Sequence, residues 1–281
     1  MSEIQLNLDE VNQILENALR EDIGSGDITT NLLFPCDAEC KAIILANEEG
    51  LVAGLPIAEM IFRKLDKDIV WSEEKKDGDK VEPNQVLAEI SGSQKAVLTG
   101  ERVALNFLQR LSGIATLTSR FVKAIHGLPV KILDTRKTAP GLRILDKYAV
   151  RVGGGFNHRF GLYDEVLVKD NHIKLAGGIT RTINILRERA VTQKRIEVEA
   201  STISEVEEAL NVGADVILLD NMSPKMIIYA VGLIKGKALI EVSGRVTLEN
   251  VREIAETGVD FISVGSVTHS SRALDIGLYV V

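Results

Sequence analysis

The stretch RIEVEASTISEVEEALNVGADVILLD, residues 195–220, decides the fold. Two short apolar runs, 195–200 and 215–220, bracket a helical segment at 202–211. Strand, helix and strand in such close succession make a parallel crossover unit. Working outward, the alternation recurs. Strands are expected at VKILDT (130–135), EVLVKD (165–170), ALIEVS (238–243) and FISVGS (261–266), and helices at 142–152, 179–189, 224–234 and 247–257. Six such units fall short of the eight in a full barrel. The expected fold class is α/β: an atypical, incomplete parallel barrel, preferred over a doubly wound sheet. No G-x-G-x-x-G opens the first unit, which weakens a dinucleotide-binding reading.

The first third has a different texture. Leu8, Val11, Leu15, Ala18 and Leu19 fall at helical spacing. EDIGSGDITTN (21–31) reads as a loop, CKAIILANEEGLVAG (40–54) as a β-hairpin and LPIAEMIFRKL (55–65) as a helix. Residues 69–92 read as a small hammerhead-like sheet punctuated by Asp-Gly and Pro, and 94–126 as helix with a break at Ser112-Gly113. This is a smaller N-terminal α+β domain over residues 1–115. The barrel domain follows over 116–281, with the last residues expected to pack back on the first.

Composition excludes several classes. The 281 residues are 45% apolar and 26% charged, as in soluble globular proteins. No apolar run reaches the ~20 residues needed to span a bilayer. The segment MSEIQLNLDE lacks the features of a secretory signal, so a cytoplasmic location is expected. Cys36 and Cys40 are the only cysteines; they cannot make a disulfide scaffold or a zinc site and read as free thiols. A net charge of −7 argues against nucleic acid as partner. It still permits a polyanionic substrate where cations are concentrated locally.

Active sites of parallel α/β folds form at the carboxyl ends of the strands. Here those ends carry Asp134-Thr135-Arg136-Lys137, then Lys169-Asp170-Asn171-His172, then Glu197 and Glu199. Asp220-Asn221, Ser243-Gly244-Arg245 and Gly265-Ser266 follow. The first two ends are cationic and suit carboxylates or phosphates. The next two are acidic and suit sugar hydroxyls or a hard cation such as magnesium. The last two are Ser/Gly loops leading into helices, which suit a phosphate. Together they call for a substrate with an anionic ring or acid, a hydroxylated middle and a terminal phosphate.

Residues 134–172, DTRKTAPGLRILDKYAVRVGGGFNHRFGLYDEVLVKDNH, sharpen this. The motifs DTRKT-x-PG-x-R, KYAV, GGG-x-NHR, GL-D and KDNH resemble the quinolinate phosphoribosyltransferase family. EDIGSGDIT, GERVALNFLQRLSGIAT, EVEA, LLDNM, EVSG and SVGS extend the resemblance over nearly the whole chain. The resemblance implies an enzyme that joins quinolinate to phosphoribosyl pyrophosphate with magnesium. Its products are nicotinate mononucleotide, pyrophosphate and carbon dioxide, on the way to NAD. It also implies a homodimer with shared sites.

Residue by residue, the resemblance puts Arg136, Lys137, His158, Arg159 and Lys169 around quinolinate, and Arg102 in the neighbouring subunit's site. Glu199 and Asp220 face the ribose and its magnesium, while Ser243, Gly244, Gly265 and Ser266 surround the 5-phosphate. Thr135, Arg245 and Val264 complete the substrate-binding set, and Lys137, Glu199 and Asp220 are the expected catalytic residues. Lys147, Tyr148 and Arg151 read as packing or helix-surface residues. The alternatives are a paralogue with another acceptor, of the molybdenum-transport-associated type, a barrel enzyme acting on a sugar phosphate, and a non-enzymatic carrier. The carrier would need a lipoyl-type Met-Lys-Met turn in residues 70–93, and none is present.

Overall fold

The apolar alternation of the sequence becomes two main sheets of opposite kind. The computed structural model describes residues 6–189 and 194–281. It divides into two units. One takes in the chain up to Ser119 with Thr138–Gly154 and Ser266–Val281; the other takes in Arg120–Lys137 and Gly155–Gly265. The expected boundary between residues 115 and 116 falls within one long helix, α4 (Gln94–Ala124), which runs from the first unit into the second.

The first unit begins with α1 (Leu8–Ile23) and α2 (Ile28–Leu33). Next come β1 (Glu39–Ala46), β2 (Gly50–Leu51), α3 (Leu55–Leu65), β3 (Val70–Glu73), β4 (Lys80–Val81) and β5 (Val86–Ser93). Asn7 caps α1 by accepting from the N–H groups of Asp9 and Glu10, and α1 buries Val11, Leu15 and Leu19 on one stripe. Residues 21–31 are not all loop. Asp27 accepts from Thr30 N at 2.9 Å and so starts α2. The expected hairpin at 40–54 does not form. Both edges of β1 are taken, by β5 and by the C-terminal strand β12 (Ile276–Val280), while β2 pairs with β4. The resulting antiparallel sheet has the order β12-β1-β5-β3, and Phe62 of α3 meets Trp71 of β3 at 6.2 Å between ring centroids.

The expected break at Ser112-Gly113 is also absent, for α4 is continuous. The pair serves close packing. Ser112 Oγ accepts from Ala53 N at 3.0 Å, and a Cβ at Gly113 would lie 2.1 Å from the carbonyl oxygen of Arg272. α5 (Arg143–Val152) belongs to the same unit. Its Asp146, fully buried, takes a bidentate pair of bonds from Arg110 at 2.9 and 2.8 Å and a third from Ala139 N at 3.0 Å.

The second unit holds β6 (Lys131–Leu133), β7 (Val166–Val168), α6 (Asp170–Ala176), α7 (Ile179–Glu188), β8 (Ile196–Ala200) and α8 (Ile203–Asn211). β9 (Val216–Asp220), α9 (Pro224–Ile234), β10 (Leu239–Ser243), α10 (Val251–Ala255) and β11 (Phe261–Ser263) complete it, and α11 (Ser266–His269) returns to the first unit. Every pairing among β6 to β11 is parallel, and their order is β6-β11-β10-β9-β8-β7. Consecutive strands thus follow one another in a ring that is open between β6 and β7. This is the incomplete barrel. Phe156 fills part of the gap: its N–H donates to Ile132 O at 2.8 Å, and its carbonyl accepts from Asp134 N at 3.0 Å. α6 and α11 were not anticipated, and the expected helix 247–257 contracts to α10. Residues 247–250 form a turn instead, closed by Thr247 N donating to Asn250 Oδ1 at 2.8 Å.

Breaking the Asp146 site tests the first unit. Asp146→Ala leaves the guanidinium of Arg110 and the N–H of Ala139 without their acceptor. A loss of about 2–4 kcal/mol is expected by urea unfolding, less than for a fully enclosed pair because Arg110 keeps some water. An unfolding midpoint equal to wild type refutes this role.

Candidate active site

Strand geometry sets which side chains enter the barrel. Alternate residues point to opposite faces. Ile196, Val198, Ala200, Ile217, Leu219, Ile240, Val242 and Ile262 form one buried apolar set. The other parity carries Glu197, Glu199, Leu218, Asp220, Glu241, Ser243 and Ser263. The interior is therefore mostly polar, where a closed barrel would stack branched apolar side chains. It leaves a cavity of about 480 Å³ at the carboxyl ends of the strands.

Eleven of the expected residues line that cavity: Thr135, Arg136, Lys137, His158, Arg159, Lys169, Glu199, Asp220, Ser243, Gly244 and Arg245. Arg102, Val264, Gly265 and Ser266 do not. Val264 is buried, with its N–H donated to Leu133 O at 2.9 Å. Arg102 lies in the first unit, in a separate notch with Asp22, Asp27 and Thr99. Asn221, noted at its strand end, also lines the cavity, and so do Glu241 and Ser263, which were not anticipated. Strand parity could have found Glu241 and Ser263, since each sits in step with a residue at its strand's end.

The cationic side is assembled around Asp134. Its carboxylate, fully buried, accepts from Asn157 Nδ2 at 2.6 Å and from His158 N at 2.9 Å. This ties the end of β6, with Thr135, Arg136 and Lys137, to the segment that carries His158 and Arg159. Arg159 donates from Nη1 to Glu165 O at 3.1 Å. Burial first, and then the neighbouring Arg136 charge, hold the pKa of Arg159 below the usual guanidinium value. Two like charges side by side in a shielded cleft favour a bound anion.

On the acidic side, burial and then the charge of Asp220 raise the pKa of Glu199, with Lys169 opposing. Asp220 accepts from Ser243 Oγ at 2.9 Å and from Asn221 Nδ2 at 2.7 Å. The two loops after β9 and β10 touch. Gly244 has φ +94°, and a Cβ there would stand 2.3 Å from Asn221 Oδ1, so only glycine fits.

A third cluster lies deeper. His158 Nε2 stands 3.2 Å from Glu197 Oε2 and 3.6 Å from Glu241 Oε1. His158 Nδ1 accepts from Arg159 N at 2.7 Å, which selects the tautomer with its proton on Nε2, donated to Glu197. That tautomer takes Nε2 out of metal ligation. Burial lowers the proton affinity of the ring, and the two glutamates more than restore it, for a net rise in pKa. Ser263 Oγ donates to Glu241. Burial and the charge of Glu197 push the pKa of Glu241 up to about 7.

Comparison with known proteins places this geometry. The family models for the N-terminal and C-terminal domains of quinolinate phosphoribosyl transferase match residues 27–112 and 114–279. A probable nicotinate-nucleotide pyrophosphorylase [carboxylating] of Bacillus subtilis is 44% identical, over 96% of this chain and 93% of its own. Quinolinate phosphoribosyltransferase [decarboxylating] 1b of Nicotiana tabacum is 45% identical, over 95% of this chain and 81% of its own. The structure of the nicotinate-nucleotide pyrophosphorylase from Francisella tularensis superposes with a TM-score of 0.94 at 42% identity. That match covers 99% of this chain and 98% of the other. Fold and sequence agree, and the chain belongs to the quinolinate phosphoribosyltransferase family.

Proposed function

We infer that the chain transfers the 5-phosphoribosyl group of phosphoribosyl pyrophosphate to the ring nitrogen of quinolinate and releases the adjacent carboxylate. The products are nicotinate mononucleotide, pyrophosphate and carbon dioxide, a step in building NAD. One observation carries the reading: a single cleft sets the cations Arg136, Lys137, Arg159 and Lys169 against the acids Glu199 and Asp220. A substrate with two adjacent carboxylates meets the cations, and a ribose that gains positive charge meets the acids. A paralogue with a less anionic acceptor has no use for so many cations.

Arg136 and Arg159 grip carboxylates through paired N–H donors, and Lys137 and Lys169 add point charge. Their mutual repulsion falls when the dianion binds. As pyrophosphate leaves, the sugar acquires oxocarbenium character. Glu199 and Asp220 stabilise that charge and hold the hydroxyls. Ser243 and Asn221 fix the Asp220 carboxylate in place. Ser243, Gly244 and Arg245 receive the 5-phosphate. Glu199 and Asp220 are two like-charged carboxylates with Glu199 already raised in pKa, a donor set that suits magnesium and would hold it. When bound, magnesium neutralises charge on the pyrophosphate.

The active species is a homodimer in which Arg102 is donated across the interface, and it works in the cytoplasm. Arg102 is exposed and lines a notch of the first unit, as a donated residue requires. No helix among the described residues is long and apolar enough to cross a membrane.

Three measurements test this reading. With quinolinate labelled in the 2-carboxylate, magnesium and phosphoribosyl pyrophosphate, labelled carbon dioxide is released; nicotinate as acceptor is not used. Lys137→Ala and Arg159→Ala each lose over tenfold in kcat/KM, about 1.4 kcal/mol or more, and wild-type kinetics in both refutes the pocket assignment. Mixing Arg102→Ala with Lys169→Ala protein restores part of the activity if sites are shared. No recovery after verified subunit exchange rules sharing out.

A further inference from the structure

The reaction exchanges a carboxylate for a hydrogen, so a proton must reach a carbon that is enclosed by substrates. The barrel axis holds a group suited to supply it. Glu241 sits inside β10, only 3% exposed, with Ser263 of β11, Glu197 of β8, His158 and Glu165 around it. Glu241 and His158 line the cation-rich cleft. The same two residues line a second cavity, of about 190 Å³, at the opposite mouth of the barrel. Its other walls include the first residues of strands, Lys131, Val166, Val216 and Phe261, together with Arg195, Glu165, Glu197 and the Leu133, Phe156 and Asn157 side of the barrel opening. Oε1 of Glu197, itself 5% exposed, has no hydrogen-bond partner and adds an open acceptor to this cavity. Glu241 therefore borders both the cleft and the lower cavity.

We propose that Glu241 is the proton donor for the carbon that loses its carboxylate, and that it is recharged from the lower cavity, which it lines itself. This rests on the reaction assigned above. In the N-ribosylated intermediate, the bond from C2 to its carboxylate breaks, and carbon dioxide leaves. The electron pair stays on C2, stabilised by the adjacent cationic ring nitrogen. C2 takes the carboxyl proton of Glu241, which becomes a carboxylate. A proton from water in the lower cavity restores the acid. Glu241 is well suited because burial and the Glu197 charge keep its proton on near neutral pH.

Single-turnover kinetics of Glu241→Gln test the idea, with magnesium, phosphoribosyl pyrophosphate and quinolinate. Pyrophosphate release is expected within about twofold of wild type, while nicotinate mononucleotide formation slows more than tenfold. Product formation that keeps pace with pyrophosphate release overturns the proposal. So does equal loss of both steps, which marks a residue that merely shapes the pocket. Ser263→Ala provides the second variant. The Ser263 hydroxyl favours ionised Glu241, so its removal raises the acid's pKa. In wild type, product formation falls as pH rises through about 7, because the acid loses its proton. In Ser263→Ala that limb moves to higher pH; an unmoved limb counts against Glu241 as donor. Wild-type protein that releases no pyrophosphate with this acceptor overturns the reaction itself, and is told apart from failure of Glu241 alone.

Discussion

The cationic half of the cleft depends on one buried carboxylate. Asp134 lies at the end of the first barrel strand, where an unpaired charge would cost several kcal/mol. It is held by Asn157 Nδ2 and by the N–H of His158. The bond pattern fastens the 155–159 segment along the open edge of β6, where a seventh strand would otherwise sit. Two pieces of chain some twenty residues apart then present Arg136, Lys137, His158 and Arg159 to one rim. The opening of the barrel is thus part of the site, because it gives the Asn157-His158-Arg159 segment somewhere to lie.

The same economy governs the strands. Their outward parity is apolar and buried beneath the crossover helices. Full burial of each such side chain contributes roughly 1.5–3 kcal/mol. The inward parity is free to be polar, since that outer layer holds the sheet. A closed barrel fills its interior with branched apolar residues and has no room there for a substrate. Here glutamates and serines take those places, and they survive burial because they are bonded to one another or to His158.

Much of this is legible in the sequence. The six strands could be placed because each is a short apolar run with its own crossover segment, and their polar ends follow directly. Pairing at long range is not written locally. β1 looks like half of a hairpin until β5 and β12 claim both its edges. Gly113 looks like a helix break, yet its missing side chain lets the Arg272 carbonyl approach. Asp27 reads as a loop residue because its capping bond, to Thr30, is invisible before the turn forms. The charged residues at strand ends stood out. Glu241, two residues before such an end, was masked by the apolar run around it.

The glutamates of the site show why position along a strand matters as much as residue type. Glu199 and Glu241 both face inward, but Glu199 lies near the rim, with Lys169 opposite and the N–H of Asp170 bonded to it. On the proposed reaction it meets, as a carboxylate, a sugar that becomes cationic. Glu241 lies deeper, against Glu197, where a second negative charge is disfavoured. On the proposed reaction, depth in the barrel divides one chemical group into two roles: a carboxylate for the ribose, and a neutral acid beneath the ring.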